Sequence, residues 1–349
     1  IHALNDFSSG GTLDIITDGL LDIDGNAIFS GVTTVTGGAI EVDGSFGLDG
    51  TMTLESSSIV NAGIYDAAEL DSVELNGNLT ISSSTFNSNG DTLVASQVYI
   101  DNGTFRVGDT DEDEMSFSLA NGGARIGGYG TLEINNDSGL DLNGGTLFVG
   151  KLDDDGNFEG GRNNLVLGGN GDIDAMGSTV EFALSVDEDD VANNSQLDLN
   201  GNTISFDSES TVSLAVAGDN YIQSGTIFQL IIGGTIQDWD DTNLVDLTMS
   251  NSVTRFFEHN GQGEIVLNAD YNTNAGSFQQ NASWLGSNTG SLGDMAHEFD
   301  QVGTVSGYQF ALQQLQPTTF VAGQQVVADD DFCEQAEAGK NDLYAAKIA

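Results

Sequence analysis

Two acidic stretches carry oxygen-bearing side chains in the spacing with which calcium loops begin. They are GDTDEDE at 108–114 and LDDDGNFEGG at 152–161, and in each the acidic or amide residues alternate along the chain. Carboxylate and amide oxygens are the donors that Ca²⁺ prefers. The first stretch is not an EF-hand, because Glu114 stands where that loop needs glycine and Ala120 where it needs glutamate. We predict calcium ligands at Asp109, Asp111, Asp113, Asp153, Asp155 and Asn157. The alternative is that both stretches are solvated loops.

The residues that covalent or acid–base catalysis needs are scarce. NDSGL at 136–140 superficially resembles a serine-protease motif, but such a serine needs a histidine and an aspartate beside it, and the histidines are only His2, His259 and His297. The pattern favours a turn. Enzymes that cleave acidic sugars usually need a basic residue, and the chain holds only 7 Lys and Arg. We predict no enzyme; a polysaccharide-active β-helix with two catalytic carboxylates is the remaining enzymatic alternative.

Charge excludes two classes of partner. With 54 acidic residues the formal net charge is −47, and such a surface repels nucleic-acid phosphates and anionic lipids. We therefore predict no nucleic-acid partner. The sequence contains no run of about 18 apolar residues that would span a membrane. Cys333 is the single cysteine, so an intramolecular disulfide is excluded, and a bridge to another chain is the alternative to an inert thiol.

The elements that hold these side chains are predicted from a repeated phrase. LDLNG occurs at 140–144 and 197–201, with variants at 21–25, 40–44 and 73–77. Two apolar residues spaced two apart share one face of a strand, while the acidic residue between them faces solvent. An Asx-Gly pair adopts positive φ easily and turns the chain. The repeated unit is therefore predicted to be a strand, an Asx-Gly corner and a second strand.

Two all-β folds compete for this pattern. A set of sandwiches would show long hairpins with two-residue turns, whereas a right-handed parallel β-helix, or β-solenoid, shows short strands with glycine and Asx corners. The second fits better, and about 20 residues per rung predicts ~13 rungs before residue 274. We predict a β-solenoid over 1–274. Over 275–349, rich in Gln and Ala, we predict a non-repetitive, partly helical or irregular C-terminal cap or linker.

Three segments resemble autotransporter (type V secretion) passengers. The segment at 25–44, GNAIFSGVTTVTGGAIEVDG, resembles the autotransporter-associated β-strand repeat. The stretch 196–270, which contains LDLNGNTISFDSESTVSLAV, is similar to the barrel-proximal end of a passenger. The segment at 307–320, GYQFALQQLQPTTF, resembles the linker between passenger and barrel. The resemblance implies export to the bacterial outer membrane, and a cell-surface or extracellular location. In such a precursor a translocator barrel follows the passenger. Because the sequence ends at Ala349, we expect either a cleaved passenger or part of a longer chain. The start at Ile1 suggests processing or truncation.

The expected function is accordingly a non-enzymatic structural or adhesive one. We predict a rigid acidic β-helical rod that self-associates with other copies, as a filament or surface coat. The alternative is a monomeric adhesin that binds surface receptors or glycans. Ca²⁺ is the one cofactor that the sequence suggests.

Overall fold

The computed structural model describes residues 1–63, 71–108, 115–135, 139–187, 191–217, 222, 224–247, 254–270, 274–278 and 304–314. Within these residues the chain consists mainly of short β-strands. The first fifteen strands are β1 (His2–Ala3), β2 (Phe7–Ser9), β3 (Thr12–Ile16), β4 (Leu20–Ile23), β5 (Ala27–Phe29), β6 (Val32–Thr36), β7 (Ala39–Val42), β8 (Phe46–Leu48), β9 (Thr51–Glu55), β10 (Ile59–Ala62), β11 (Ser72–Leu75), β12 (Asn78–Ser82), β13 (Thr85–Ser88), β14 (Asp91–Val94) and β15 (Gln97–Val107). The later strands are β16 (Phe117–Leu119), β17 (Arg125–Ile134), β18 (Leu140–Asp141), β19 (Thr146–Val149), β20 (Leu165–Gly169), β21 (Ile173–Asp174), β22 (Thr179–Leu184), β23 (Leu197–Asp198), β24 (Thr203–Ser205), β25 (Thr211–Val216), β26 (Ile227–Gln229), β27 (Ile231–Ile232), β28 (Thr235–Gln237), β29 (Asn243–Asp246), β30 (Arg255–Gly261) and β31 (Glu264–Ala269).

The strands up to β29, except β26, stack in parallel on three faces of a β-helix. Face 1 contains β1, β4, β7, β10, β13, the second halves of β15 and β17, β20, β23 and β27. Face 2 is the ten-stranded sheet β2-β5-β8-β11-β14-β16-β18-β21-β24-β28. Face 3 contains β3, β6, β9, β12, the first halves of β15 and β17, β19, β22, β25 and β29. The predicted β-solenoid is confirmed.

The rungs number ten within the described residues, fewer than the ~13 expected from a uniform repeat of about 20 residues. The register pairs His2 with Asp22 and Leu20 with Ala39, repeats of 20 and 19 residues. Farther along it pairs Gly130 with Leu165, a repeat of 35 residues. The later rungs are longer because hairpins project from them, closed by the antiparallel bridges Leu152–Phe158 and Val186–Ala192.

Alternation of apolar and polar side chains fills the interior. Strands such as β9 and β12 alternate buried and more exposed residues, so that each rung contributes every second side chain to one continuous core. Six phenylalanines stack through that core with ring centroids 5.3–5.8 Å apart. They are Phe7, Phe29, Phe46, Phe86, Phe105 and Phe117.

The Asx-Gly phrase turns the chain through positive φ in two of its five copies. In the copy at 140–144, Asn143 and Gly144 have φ of 44° and 77°, and Asp141 Oδ1 accepts the Asn143 N–H at 2.8 Å. In the copy at 197–201, Asn200 and Gly201 likewise have positive φ.

The other three copies contradict the predicted positive-φ corner. At 21–25, 40–44 and 73–77 neither the Asx nor the glycine has positive φ. Close approach of the preceding rung explains the glycine instead: a Cβ on Gly77 would overlap the carbonyl oxygen of Gly50, and one on Gly44 would lie 2.8 Å from the Gly25 carbonyl carbon. Here the glycine serves stacking between rungs and not the turn itself.

An antiparallel sheet and a buried tryptophan accompany the last rung. β26 pairs antiparallel with β31, and β30 completes this three-stranded sheet. Trp239, in the 3-10 helix Trp239–Asp241, is fully buried and contacts Phe206 edge-on at a centroid distance of 5.7 Å. Trp239 is therefore part of the aromatic core.

Contacts divide the chain into two compact units. The first contains residues 1–250 and 257–268, and the second contains 251–256 and 269–349. In the second unit the described elements are the 3-10 helix Gly276–Phe278 and α1 (Val305–Gln314), where the Gln309 amide donates to the Asn274 carbonyl at 3.1 Å. A helical part of the tail is therefore present; the boundary at 274/275 stays a prediction.

Candidate functional site

The second predicted calcium stretch forms the tip of a hairpin on the outside of the solenoid. Asp153 Oδ1 accepts the backbone N–H of Asp155 at 3.0 Å and that of Asn157 at 2.8 Å. The Asp153 N–H in turn donates to the Asn157 carbonyl at 2.8 Å. The hydrogen bonds that the Asp153 carboxylate accepts lower its pKa, and the backbone N–H of Asn157 is the largest cause.

This geometry occupies Oδ1 of Asp153, whereas Oδ2 has only a long contact of 3.5 Å from Asn157 Nδ2. The side chains of Asp155 and Asn157 are exposed. The three residues lie together, as the sequence predicts, and calcium binding by them stays a prediction. Asp109, Asp111 and Asp113 lie outside the described residues.

Two further acidic stretches serve as backbone acceptors where they are described. In 168–174, Asp172 Oδ1 accepts the Thr203 N–H of the next rung at 2.7 Å. In 186–190, Asp187 Oδ1 accepts the Val191 N–H at 3.0 Å. Both carboxylates hold a corner or hairpin in place.

The base of the 152–158 hairpin covers an apolar cluster on face 3. Phe148 points outward from β19 yet is fully buried, and its ring lies 6.1 Å from that of Tyr99. The Tyr99 oxygen accepts the Leu152 N–H at 3.0 Å. The Arg125 guanidinium stacks 4.9 Å from the Phe148 centroid and pairs with Glu181 at 2.6 Å.

A second tyrosine lies beside this cluster, next to a carboxylate. Burial, followed by a hydrogen bond to Asp101, raises the pKa of Tyr129 far above its usual value. Asp101 also accepts the Ser82 hydroxyl at 2.8 Å. Burial likewise raises the pKa of Tyr99. Both phenols stay neutral at physiological pH, so they can donate hydrogen bonds but cannot serve as bases.

Acidic side chains and a histidine form an outward patch at the first rungs of face 1. His2 Nδ1 lies 2.8 Å from Asp22 Oδ2, and His2 Nε2 lies 3.6 Å from Asp24 Oδ2. Asp22 pairs in register with Glu41 of the next rung, and Asp43 follows the strand that contains Glu41. We call these five residues the His2 patch.

Farther along face 1 the same outward column carries paired groups. The Asn87 amide donates to Asn61 Oδ1 at 2.7 Å, and Arg106 pairs with Glu133 at 2.9 Å. This guanidinium, together with Asn135, holds the pKa of the Glu133 carboxyl below its usual value although partial burial opposes the shift.

A ladder of polar side chains at the entry to face 2 was not predicted from the sequence. Each side-chain oxygen accepts the backbone N–H of the equivalent residue one rung later, at 2.7–3.2 Å. The pairs are Asp6–Asn26, Asn26–Ser45, Ser45–Ser72, Asp91–Ser116 and Asp172–Thr203. The available signal was an Asx, Ser or Thr just before the second strand of each rung.

Among the described residues, neither His259 nor an open groove beside β27 and β28 shows a catalytic arrangement of side chains. His259 Nε2 lies 2.9 Å from Thr242 Oγ1, and its ring is edge-on to Trp239 at 5.3 Å. The serine of NDSGL lies outside the described residues. An open groove of about 500 Å³ is lined by Gln229, Ile231, Ile232, Gly233, Gly234, Thr235, Ile236 and Gln262, none of which is ionisable.

Comparison with known proteins gave no relative. No model of a known protein family matches the sequence, and no curated protein matches it. Among the described residues no helix is both long and apolar enough to cross a membrane.

Proposed function

We propose that this chain is a non-enzymatic structural or adhesive protein of a cell surface or the extracellular space. The observation that carries the proposal is the ten-rung parallel solenoid, whose core is continuous and whose charged groups lie on the outside. Every rung is hydrogen-bonded to its neighbours, so the fold is rigid without a disulfide. The side chains exposed on the three faces differ from rung to rung, and a partner would be recognised there.

Self-association is the form of this function that we favour. Stacked strands and regular faces repeat the same contacts at every rung, and a strongly acidic surface needs cations or salt before two copies can approach. Calcium, bound weakly by stretches such as 152–161, would serve as that cation. The passenger-like segments at 25–44, 196–270 and 307–320 support export to a bacterial outer membrane.

Electron microscopy and sedimentation velocity of the full chain test this proposal. We expect assemblies in millimolar Ca²⁺ that dissolve in chelator, while MgCl₂ at equal ionic strength serves as the control for screening. A chain that is strictly monomeric in all three buffers contradicts self-association. Turnover of a polysaccharide or peptide in an activity screen would contradict the non-enzymatic assignment.

A monomeric adhesin that binds glycans is the second candidate, and the Tyr99–Asp101–Tyr129 group favours it. Half-buried aromatic rings beside a carboxylate offer a stacking surface and a hydrogen-bond acceptor for a sugar. A glycan array probed with the wild-type chain and with Asp101→Asn tests it. We expect binding that Asp101→Asn weakens; equal binding by both chains contradicts a site at this position.

A further inference from the structure

His2, Asp22 and Asp24 bring three metal-ligating side chains to one point on face 1. Each side chain offers one ligand atom, and these three atoms lie within 4.8 Å of one another. Within the described residues, no other three histidine, cysteine or acidic side chains come this close together. Because β1 and β4 pair His2 with Asp22, the two side chains project on the same side of the sheet. Asp24 lies two residues beyond Asp22 and therefore projects on that side as well.

Additional negative charge around these three residues favours the binding of a cation more than a single carboxylate beside His2 would. Glu41 lies beside Asp22 in the register of the next rung, and Asp43 stands beside Asp24 in the same way. Two carboxylates thus contact the imidazole, and two more lie one rung beyond them. On this outward column the next cationic side chain is Arg106, which already pairs with Glu133.

The donor set selects a class of metal ion. Imidazole suits Zn²⁺, Cu²⁺ and Ni²⁺, whereas Ca²⁺ and Mg²⁺ prefer oxygen ligands alone. Zn²⁺ bonds of about 2.0–2.2 Å in tetrahedral geometry need donor atoms roughly 3.3–3.6 Å apart. The contact from His2 Nε2 to Asp24 Oδ2 is 3.6 Å, at the upper end of this range, whereas Asp22 Oδ2 lies 2.8 Å from the other ring nitrogen, Nδ1. The imidazole therefore has to turn before one of its nitrogens can share an ion with both carboxylates, and the 34–49% exposure of the side chains leaves room for this turn.

We propose that His2, Asp22 and Asp24 bind one divalent transition-metal ion of the Zn²⁺ type, with water completing the coordination. This site is distinct from the calcium stretches, and it does not depend on the structural or adhesive role. A metal ion binds the neutral form of imidazole, so protons and the ion compete for the same nitrogen. The competing arrangement is a protonated His2 that simply pairs with the two carboxylates.

Titration of the tag-free, chelator-treated full chain with Zn²⁺ and with Co²⁺ tests the proposal. We expect one site whose affinity falls at least about tenfold in His2→Asn and in Asp22→Asn/Asp24→Asn, since even outer-shell substitutions cost that much. Co²⁺ should give the visible absorption of a tetrahedral nitrogen–oxygen site. Glu209→Gln, which removes an exposed carboxylate elsewhere, is the matched control and should leave the affinity unchanged.

Two further measurements keep the outcome decisive. Circular dichroism of the metal-free variants should match the wild type, because these side chains are exposed and lie outside the core. The His2 imidazole resonances should shift with Zn²⁺ and stay unchanged with equimolar Ca²⁺. Zn²⁺ binding that His2→Asn leaves intact, or that is weak and multiple in every variant, would overturn the proposal.

Discussion

At the scale of single residues, neighbours on one strand have opposite roles. Phe29 is fully buried in the ring stack between Phe7 and Phe46, whereas Ile28, one position earlier, is 46% exposed. Removal of a buried phenylalanine ring deletes its transfer free energy and leaves a cavity. We therefore expect Phe29→Ala to lower the free energy of unfolding by about 3–5 kcal/mol.

Ile28→Ala is the control on the same strand, and it removes half as many side-chain carbons. Its effect should stay within about 1 kcal/mol, because surface substitutions away from packed features change stability little. Chemical denaturation of the two variants measures both values. Equal losses would mean that the ring stack is not part of the stabilising core.

His259 should make the end of the solenoid sensitive to acid. Burial against Trp239 lowers the pKa of His259 below its usual value of 6.5, with Asp240 opposing the shift. The unfolded chain therefore binds a proton more readily than the folded chain. The stabilising contribution is complete above about pH 6.5 and is lost as the pH falls toward the lowered pKa.

Thermal unfolding between pH 7.5 and 5 measures this contribution. The wild type should lose stability faster on acidification than His259→Gln, which cannot be protonated, and carboxylates that titrate in both chains cancel in the difference. Parallel curves for His259→Gln and the wild type would contradict the assigned pKa direction.

At the scale of elements, a glycine column lets consecutive rungs approach between faces 2 and 3. A Cβ on Gly31 would overlap the Gly11 carbonyl oxygen, whereas a Cβ on Gly11 would meet nothing within 4 Å. Overpacking of this kind costs about 1–3 kcal/mol. We expect Gly31→Ala to destabilise by at least that amount.

Gly11→Ala should be neutral or stabilising by up to about 1 kcal/mol, because alanine restricts the unfolded chain at a position that has room for it. Urea denaturation of the two variants compares like with like, since the substitutions are chemically identical. A Gly11→Ala variant as unstable as Gly31→Ala would show that backbone entropy, and not the approach of rungs, determines the effect.

The projecting hairpin at 152–158 should depend on one carboxylate. Asp153→Ala removes the acceptor of the Asp155 and Asn157 amides, so we expect faster hydrogen exchange confined to the hairpin. Asp154→Ala removes an exposed carboxylate next to it and is the control. Because the Asp153 pKa is lowered from 3.8, only acidification through this lowered pKa should mimic the Asp153 substitution in the wild type.

The same two variants test the calcium prediction. Weak Ca²⁺ binding by the hairpin should be lost in Asp153→Ala and kept in Asp154→Ala if Asp153 is a ligand. Calorimetric binding curves that do not differ between them would place any Ca²⁺ elsewhere. This readout is separate from hydrogen exchange, which reports the turn and not the ion.

Element type was predictable from the sequence, whereas corner conformation and rung length were not. Alternation in stretches such as TMTLE at 51–55 fixes which side chains point inward. The phrase LDLNG and its variant VELNG differ by few atoms, yet Asn143 has positive φ and Asn76 does not. The difference arises from what the neighbouring rung places against the corner, which is a contact distant in sequence.

The candidate site was predictable only in part, for a similar reason. Asp153, Asp155 and Asn157 are close in sequence, and their juxtaposition follows from their spacing. His2 and Asp22 meet only because the register of β1 and β4 is 20 residues. A single sequence gives the repeat length loosely, so it cannot specify which outward side chains of different rungs face one another.

At the scale of the whole molecule, a net charge of −47 opposes a fold that stacks rungs about 4.8 Å apart. Ion pairs such as Arg106–Glu133 and Lys151–Glu159 offset little of this, because cations number only 7. The unfolded chain separates its carboxylates and lowers their repulsion. Screening should therefore stabilise the folded chain, since the Debye length falls from about 30 Å at 0.01 M salt to about 10 Å at 0.1 M.

We expect the melting temperature to rise as NaCl increases from 0.01 M and to level off near 0.5 M. A gain of about 1–2 kcal/mol corresponds to a rise of roughly 2–8 °C for a domain of this kind. Differential scanning calorimetry in NaCl, and in CaCl₂ at the same ionic strength, separates screening from binding, because only binding depends on the identity of the cation. A melting temperature that stays flat or falls across the low-salt range would mean that the carboxylates repel one another no more in the stacked rungs than in the unfolded chain.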